Sequence, residues 1–351
     1  MFGPLSSRSR LAPFALLALL AAPAALATTA TAAEVTLTLH HFLSPKSNTH
    51  ANFLAPWAEA VETASDGRIE IKIFPSMTMG GKPPELYSQV RDGFADIVWT
   101  LPGYTPGVFP RIEVFELPTV HQGSATATNR AIQAIWPEVA ADFEAVQPIL
   151  VHVHAGNALH LRGEGARSPA DLAGRRLRTP SRTGAFMIEA WGAEPVGMPV
   201  PALPQALAKG AVDGALLPFE VMPPLKLDQL TAVSVEGADA SRFGTAIFLL
   251  AMNRARYESL PEDLRAVIDA HSGLALADRA GEVWDSAEEP GRAAQRASGG
   301  AILALSPDEK AAFDALGASA VERWIGESTT RGIDGQALVN AARAAVAAAS
   351  P

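Results

Sequence analysis

The sequence predicts an α/β fold of two lobes, and three stretches carry that prediction. Residues 171–220 alternate strand, helix, strand, helix, strand, the order that places parallel strands side by side with helical crossovers between them. Residues 34–74 open with another strand, helix and strand, the first crossover unit of a lobe. Residues 243–252, FGTAIFLLAM, form a nearly continuous apolar run, as in a strand buried on both faces. A chain of 351 residues leaves each lobe room for its own core.

The first residues read as a signal rather than as fold. Arg8 and Arg10 precede an apolar run over 11–27, and Ala30-Thr31-Ala32 supplies small residues before Glu34. This is the pattern of a secretory signal peptide over 1–33, too short for a membrane span and without a stop-transfer pattern after it. The arginines are separated by serine, which argues against twin-arginine export. The protein is therefore expected in the periplasm, its mature form beginning at Ala33 or Glu34. Mass spectrometry of the exported protein checks this, and an intact N-terminus in the cytoplasm would contradict it.

Removing the two arginines takes the formal net charge from −9 to −11. Such an acidic chain is a poor partner for nucleic acid, whose affinity rests on many basic phosphate contacts. One arginine focused in a cleft still suffices for a small anion. Cysteine is absent, so neither a disulfide nor a lipidated cysteine is available, and a soluble monomer held together by its core is expected.

Along the chain, EVTLTLHH at 34–41 alternates as a strand and runs into Phe42-Leu43-Ser44-Pro45. Residues 50–65 carry Phe53, Leu54, Trp57 and Val61 at helical spacing, Asp66-Gly67 turns, and 68–74 alternates again. Gly80-Gly81 is a tight turn, matching no phosphate-binding fingerprint, before a helix at 84–91 and a strand near Ile97-Val98-Trp99. Residues 101–118 are rich in proline, glycine and aromatics and should form an ordered loop. A helix is expected over 126–143, a strand over 148–154 and a turn at Gly156-Asn157.

Within 171–220 the strand 175–179 is closed by Pro180, and 184–191 has one apolar helical face. Residues 195–199 are extended, 203–209 a brief helix stopped by Gly210, and 212–217 a second strand. Helix then strand follows at 225–234. A long helix over 261–297 should be kinked or broken near Pro290. A strand at 302–306, a helix at 307–325 and a terminal helix at 335–349 complete the chain, with no internal repeat.

Three ordered blocks carry a resemblance to a family. Asp171-Leu172-Ala173-Gly174 through Arg178-Thr179-Pro180 comes first, then Gly192-Ala193-Glu194-Pro195-Val196-Gly197-Met198-Pro199. Ala206-Leu207 through Val212-Asp213-Gly214, with Pro218 after it, is the third. The pattern resembles the DctP-like substrate-binding proteins of TRAP (tripartite ATP-independent periplasmic) transporters, and weaker matches extend it over nearly all of the mature chain. The resemblance implies a two-lobed periplasmic-binding-protein-like fold, its ligand cleft between the lobes and a long C-terminal helix bridging them. Lobe one would take 34–155 with 244–282, lobe two 156–243 with 283–325, and 326–351 would be a helical extension. It also implies capture of a small organic acid and its delivery to membrane-embedded permease subunits, with no cofactor and no catalysis.

Arg178 is the residue the resemblance singles out, as the arginine that pairs bidentately with a ligand carboxylate. Its planar fork fits a carboxylate and stays charged at any working pH. Arg175, Arg176 and Arg182 read as surface charge. Where sialic-acid and dicarboxylate members carry further polar groups, this chain has Ala158 or Leu159, Leu217 and Leu101, and Val200 stands where many carry an aromatic. Phe42, Tyr104 and Phe219 lie in segments expected to reach the cleft, and His160 could donate to the ligand. Arg162 or Arg167 could compensate at the Ala158 position, and Lys46 or Arg162 could serve as a second cation; without one, the expected ligand is a monocarboxylate with an apolar or aromatic body.

Other chemistries find less support. His152 and His154 share a strand face, yet no cysteine or suitably spaced carboxylate joins them in a metal site. No G-x-S-x-G elbow is present, Glu288-Glu289 reads as solvated charge, and Trp57, Trp136 and Trp324 read as core. A periplasmic hydrolase or metal-dependent lyase acting on a carboxylate stays open as the alternative. A sensor ectodomain lacks the membrane span it needs.

Overall fold

The computed structural model describes residues 33–350, so all of the expected signal peptide but its last residue lies outside the described residues. The described strands are β1 (Val35–His41), β2 (Ile69–Phe74), β3 (Ile97–Thr100), β4 (Gln147–Val153), β5 (Ala158–Leu161), β6 (Arg176–Thr179), β7 (Glu194–Gly197), β8 (Gly214–Leu217), β9 (Val233–Gly237), β10 (Ile247–Met252) and β11 (Ala301–Leu305). They form two sheets, one in the order β2-β1-β3-β10-β4 and the other β11-β9-β5-β8-β6-β7.

Each sheet follows from its sequence pattern. In the first, β1 lies parallel to β2 and β3. β10 runs antiparallel between β3 and β4 and is buried at all six positions, as its unbroken apolar run requires. In the second sheet, β6 is parallel to both β7 and β8, the crossover arrangement read from 171–220. The short β5, which sequence reasoning did not separate from the turn at Gly156-Asn157, pairs antiparallel with β8 and β9. Four residues of ALHL are too few to display a period; pairing on both sides makes them a strand.

The chain passes from the first sheet to the second at 154–157 and returns at 238–246. These crossings hydrogen-bond to each other, Asn157 N–H to the Gly244 carbonyl (2.8 Å) and Phe243 N–H to the Asn157 carbonyl (2.9 Å). A third passage is the helix Gly273–Ala297, which packs on the helix Ala125–Ala134 and β4 of the first half and on Phe219–Val221 and β11 of the second. Two glycines permit this: a Cβ on Gly281 would collide with the Thr126 backbone, and one on Gly291 with the Phe219 carbonyl.

Three helical expectations are corrected. The long helix breaks at Ser272-Gly273 instead of Pro290, giving Glu262–Ala270 and Gly273–Ala297. Gly273 takes a φ of +68°, a conformation glycine adopts without penalty, and the His271 and Ser272 side chains close the first helix on the Val267 and Ile268 carbonyls. Pro290 stays within its helix at an exposed position, opposite Ser286, which is exposed too, so the carbonyl deprived of its helical N–H partner is not sealed in the core. The helix expected over 126–143 ends at Ala134 and restarts as Trp136–Val139, since Pro137 cannot donate back to Gln133. The later helix is longer than expected, Pro307–Thr330.

Among the described residues no helix is long and apolar enough to cross a membrane.

Candidate functional site

Arg178 stands one residue before the end of β6, paired with Val196 on β7 and Ala215 on β8. Ligand sites of open parallel sheets gather at such carboxyl ends. Its residue is 2 % exposed. The Nε donates to the Met198 carbonyl at 3.0 Å and Nη1 to the Leu216 carbonyl at 3.4 Å, while Nη2 has no partner. Among the described residues no carboxylate pairs with it. Burial pushes its pKa below the usual arginine value and the neighbouring Tyr104 opposes this, but a guanidinium keeps its proton regardless. A buried cation without an anion is costly, so this group is positioned for an anion from outside.

The first half builds an aromatic wall around it. The Phe42 ring stacks on Trp99 at 5.1 Å and meets Tyr104 edge-on at 5.6 Å, and Trp99 stacks on Phe248 at 4.6 Å. The Tyr104 hydroxyl accepts the Val200 N–H at 2.9 Å. Burial raises its pKa, so the phenol keeps a proton that it can donate. With Leu101, Val200, Leu216 and Leu217 these rings line a narrow cavity that also includes Arg178. Its volume is about 40 Å³.

Three polar side chains share the lining: His154, Asn157 and Glu220. Burial holds His154 well below its ordinary pKa, so its ring is neutral. Asn157 Nδ2 donates to the Phe243 carbonyl (3.3 Å), which leaves its Oδ1 buried and unpartnered. Glu220 is buried and its Oε2 makes no regular hydrogen bond, although the Trp284 indole N–H, itself unpartnered, lies close enough to oppose the rise of its pKa; burial and then the carboxylate of Glu288 prevail and push it up to about 8. The Glu220 N–H donates to Glu288 Oε1 at 3.2 Å. Of this pair, Glu288 carries the charge, because Arg242 Nη2 meets it at 2.9 Å, and Glu220 carries the proton.

The lining includes Phe42, Leu101, Tyr104, Arg178, Val200 and Leu217 from the residues singled out in sequence. It does not include His160 or Phe219. His160 is buried in the second sheet, with Nε2 donating to the Leu217 carbonyl (3.1 Å) and Nδ1 accepting from Ser234 (2.8 Å); its pKa falls to about 3 through burial. Both ring nitrogens are committed, so it has nothing to offer a ligand. The Phe219 ring packs against the guanidinium groups of Arg242 (5.3 Å) and Arg292 (5.1 Å). Lys46 and Arg162 are exposed and away from the cavity. Arg182 is no surface charge either, being drawn in by Glu113 at 2.8 Å and by Glu327.

Asn157 and Glu220 were missed in sequence. Glu220 had a signal: it is a lone acid in the apolar run LLPFEVM, where a charge is expensive unless paired or protonated. Asn157 had none, since asparagine after glycine reads first as a turn.

A roomier cleft of about 520 Å³ lies elsewhere and includes Arg242, Lys310 and Asp314 in its lining. Its cations are already occupied, Arg242 by Glu236 and Glu288 and Lys310 by Asp314 at 2.6 Å. The smaller cavity, with its uncommitted buried cation, is the better site for an anion.

Comparison with known proteins places this geometry. Residues 39–327 match the family described as bacterial extracellular solute-binding protein, family 7. A marine metagenome TRAP solute-binding protein specific for aromatic acid ligands, crystallised with 3-hydroxybenzoate, is 42% identical and superposes with a TM-score of 0.89, covering 91% of this chain and 100% of that one. A TRAP solute-binding protein of Rhodoferax ferrireducens T118 holding copurified benzoate is 40% identical with a TM-score of 0.87, covering 90% and 98%. A Comamonas testosteroni protein described as outer membrane transporter protein TsaT is 25% identical over 98% of this chain and 99% of its own.

Proposed function

We propose, for a chain that belongs to bacterial extracellular solute-binding protein family 7 and is a TRAP solute-binding protein, that the solute is a monocarboxylate with an aromatic body. Proteins of this family capture a small organic acid outside the cytoplasmic membrane and pass it to membrane permease components. The family and the structural relatives are transport proteins rather than enzymes.

The observation that carries the reading is Arg178, a buried guanidinium without a carboxylate partner, inside a narrow aromatic-walled cavity. The ligand carboxylate would take the free Nη2 and the Tyr104 hydroxyl. Its ring would lie against Phe42, Trp99 and Phe248, where burying ~100 Å² of apolar surface contributes about 2.5 kcal/mol. A second ligand carboxylate finds no second cation in the lining, and a sugar's hydroxyls would be stranded against Leu101, Leu217 and Val200 at about 1–3 kcal/mol each. That relatives above 40% or at 40% identity hold 3-hydroxybenzoate and benzoate supports the same class.

The test is thermal shift on protein freed of ligand by unfolding and refolding. At a hundredfold excess over Kd a ligand stabilises by about 2.7 kcal/mol, which in a chain of this size corresponds to roughly 5 °C. Benzoate, hydroxybenzoates, phenylacetate and branched-chain acids should shift the melting temperature more than succinate, malate or glucuronate. A clear preference for a dicarboxylate or a sugar acid would overturn the ligand class. Release of the bound acid unchanged distinguishes a receptor from an enzyme acting on a carboxylate.

A further inference from the structure

We propose that Asn157 and Glu220 form a second polar anchor in the same cavity and read a hydroxyl group on the ligand's ring, which makes the preferred ligand a hydroxyaryl carboxylate. This rests on the reading of the cavity as an aromatic monocarboxylate site. The observation behind it is a pair of unpartnered buried oxygens, Asn157 Oδ1 and Glu220 Oε2, both on side chains that line a cavity otherwise walled by rings and leucines. Buried polar atoms left unpaired cost about 1–3 kcal/mol each, so a pair of them inside a ligand cavity is a site for a polar group of the ligand.

The topology sets the two anchors apart. Arg178 lies on β6, and Asn157 immediately precedes β5, with β8 between them in the sheet. Two strand spacings put their backbones about 10 Å apart. Ala158 pairs with Leu217, so Asn157 and the segment that carries Glu220 leave neighbouring strands at the same end. A flat ligand with its carboxylate on Arg178 therefore extends its ring towards Asn157 and Glu220.

The chemistry of the pair is specific. Asn157 is fixed with its carbonyl oxygen free, because Nδ2 is held by Phe243, and that oxygen only accepts. Glu220 holds a proton at neutral pH, so it can donate. One acceptor and one donor suit a hydroxyl, which gives one hydrogen bond and takes another. A ring halogen donates nothing, and a second carboxylate would face an acceptor without a cation. Glu288 and Arg242 stand behind Glu220 and are engaged with each other, so neither competes for the ligand.

Calorimetry at pH 7 tests this with benzoate, the three monohydroxybenzoates and the three monochlorobenzoates. At least one hydroxybenzoate should bind tenfold or more tightly than benzoate, while the chloro compound of the same substitution gains less than threefold. In Glu220→Leu the hydroxybenzoate-to-benzoate ratio should fall to within threefold of unity, and in Glu220→Gln, which keeps a donor and an acceptor, it should be partly retained. Equal affinity of the wild-type protein for benzoate and every hydroxybenzoate overturns the proposal while leaving the aromatic-acid reading standing. So does a ratio undiminished in Glu220→Leu. Failure of all these acids to bind overturns both. If Glu220→Leu does not fold, the wild-type ratios and Glu220→Gln decide.

Discussion

Arg178→Ala should lose about 3–5 kcal/mol of affinity for the aromatic acid, more than a hundredfold in Kd, without loss of folding. The guanidinium is the one cation of the cavity lining, and truncating it leaves the ligand's carboxylate buried with only the Tyr104 hydroxyl and neutral neighbours. The same change removes a buried charge that has no carboxylate partner, so the unliganded protein should melt at an unchanged or higher temperature. Arg178→Lys should recover part of the loss, because an ammonium supplies the charge but not the planar fork, and its shorter reach forfeits the anchoring bonds to Met198 and Leu216. Calorimetry of both variants beside their unliganded melts measures the two effects separately. Near wild-type affinity in Arg178→Ala would remove the central residue of the binding reading.

The largest effect on stability is expected at Arg242. This buried guanidinium pairs with Glu236 and with Glu288, and Arg292 also reaches Glu236 at 3.0 Å. Both guanidinium groups pack against the Phe219 ring. Arg242→Ala leaves Glu288 buried without its partner and beside Glu220, a second carboxyl. A loss of about 3–5 kcal/mol follows from stranding such a charge. Adding Glu288→Gln should restore part of it, because the uncompensated charge is then gone, so the two changes are not additive. Urea unfolding of the single and double variants measures this. An Arg242→Ala protein within 0.5 kcal/mol of wild type would show that the network contributes nothing net.

These two arginines show how differently the same residue type is used. Both are buried, one with two carboxylates and one with none. Neither difference can be read from the neighbouring sequence, because Glu236 and Glu288 meet Arg242 from separate elements. For Arg178 the family resemblance supplied what local pattern did not. For Arg182, taken as surface charge, no local signal pointed to Glu113, which lies 69 residues earlier in the chain.

The cavity was legible in proportion to how far its residues belong to regular elements. Phe42 and Leu101 directly follow strands whose alternation or apolar run is plain, and Val200 and Leu217 sit beside prolines that fix the ends of extended segments. His160 and Phe219 were expected at the ligand cavity, yet their side chains pack within the second half, His160 from a strand that the sequence pattern did not display. Orientation at a strand depends on register, and a shift of one residue exchanges its faces. The β5 register to β8 and β9 is what turns His160 onto Ser234 and away from the ligand space.

By itself the sequence determined the alternation of strands and helices, the parallel arrangement around β6 and the double burial of β10. These properties follow from the spacing of apolar residues and from proline and glycine at the ends of elements, which act over a few residues. It also carried the three blocks that resemble the family and, through them, Arg178. Only the tertiary structure decided which buried groups are left without partners. Arg178 Nη2, Asn157 Oδ1 and Glu220 Oε2 are left without hydrogen-bond partners in the folded molecule, although nothing in their neighbouring sequence says so. Hydrogen-bond and charge satisfaction are sums over everything within a few ångströms, and in this fold those neighbours come from segments far apart in the chain.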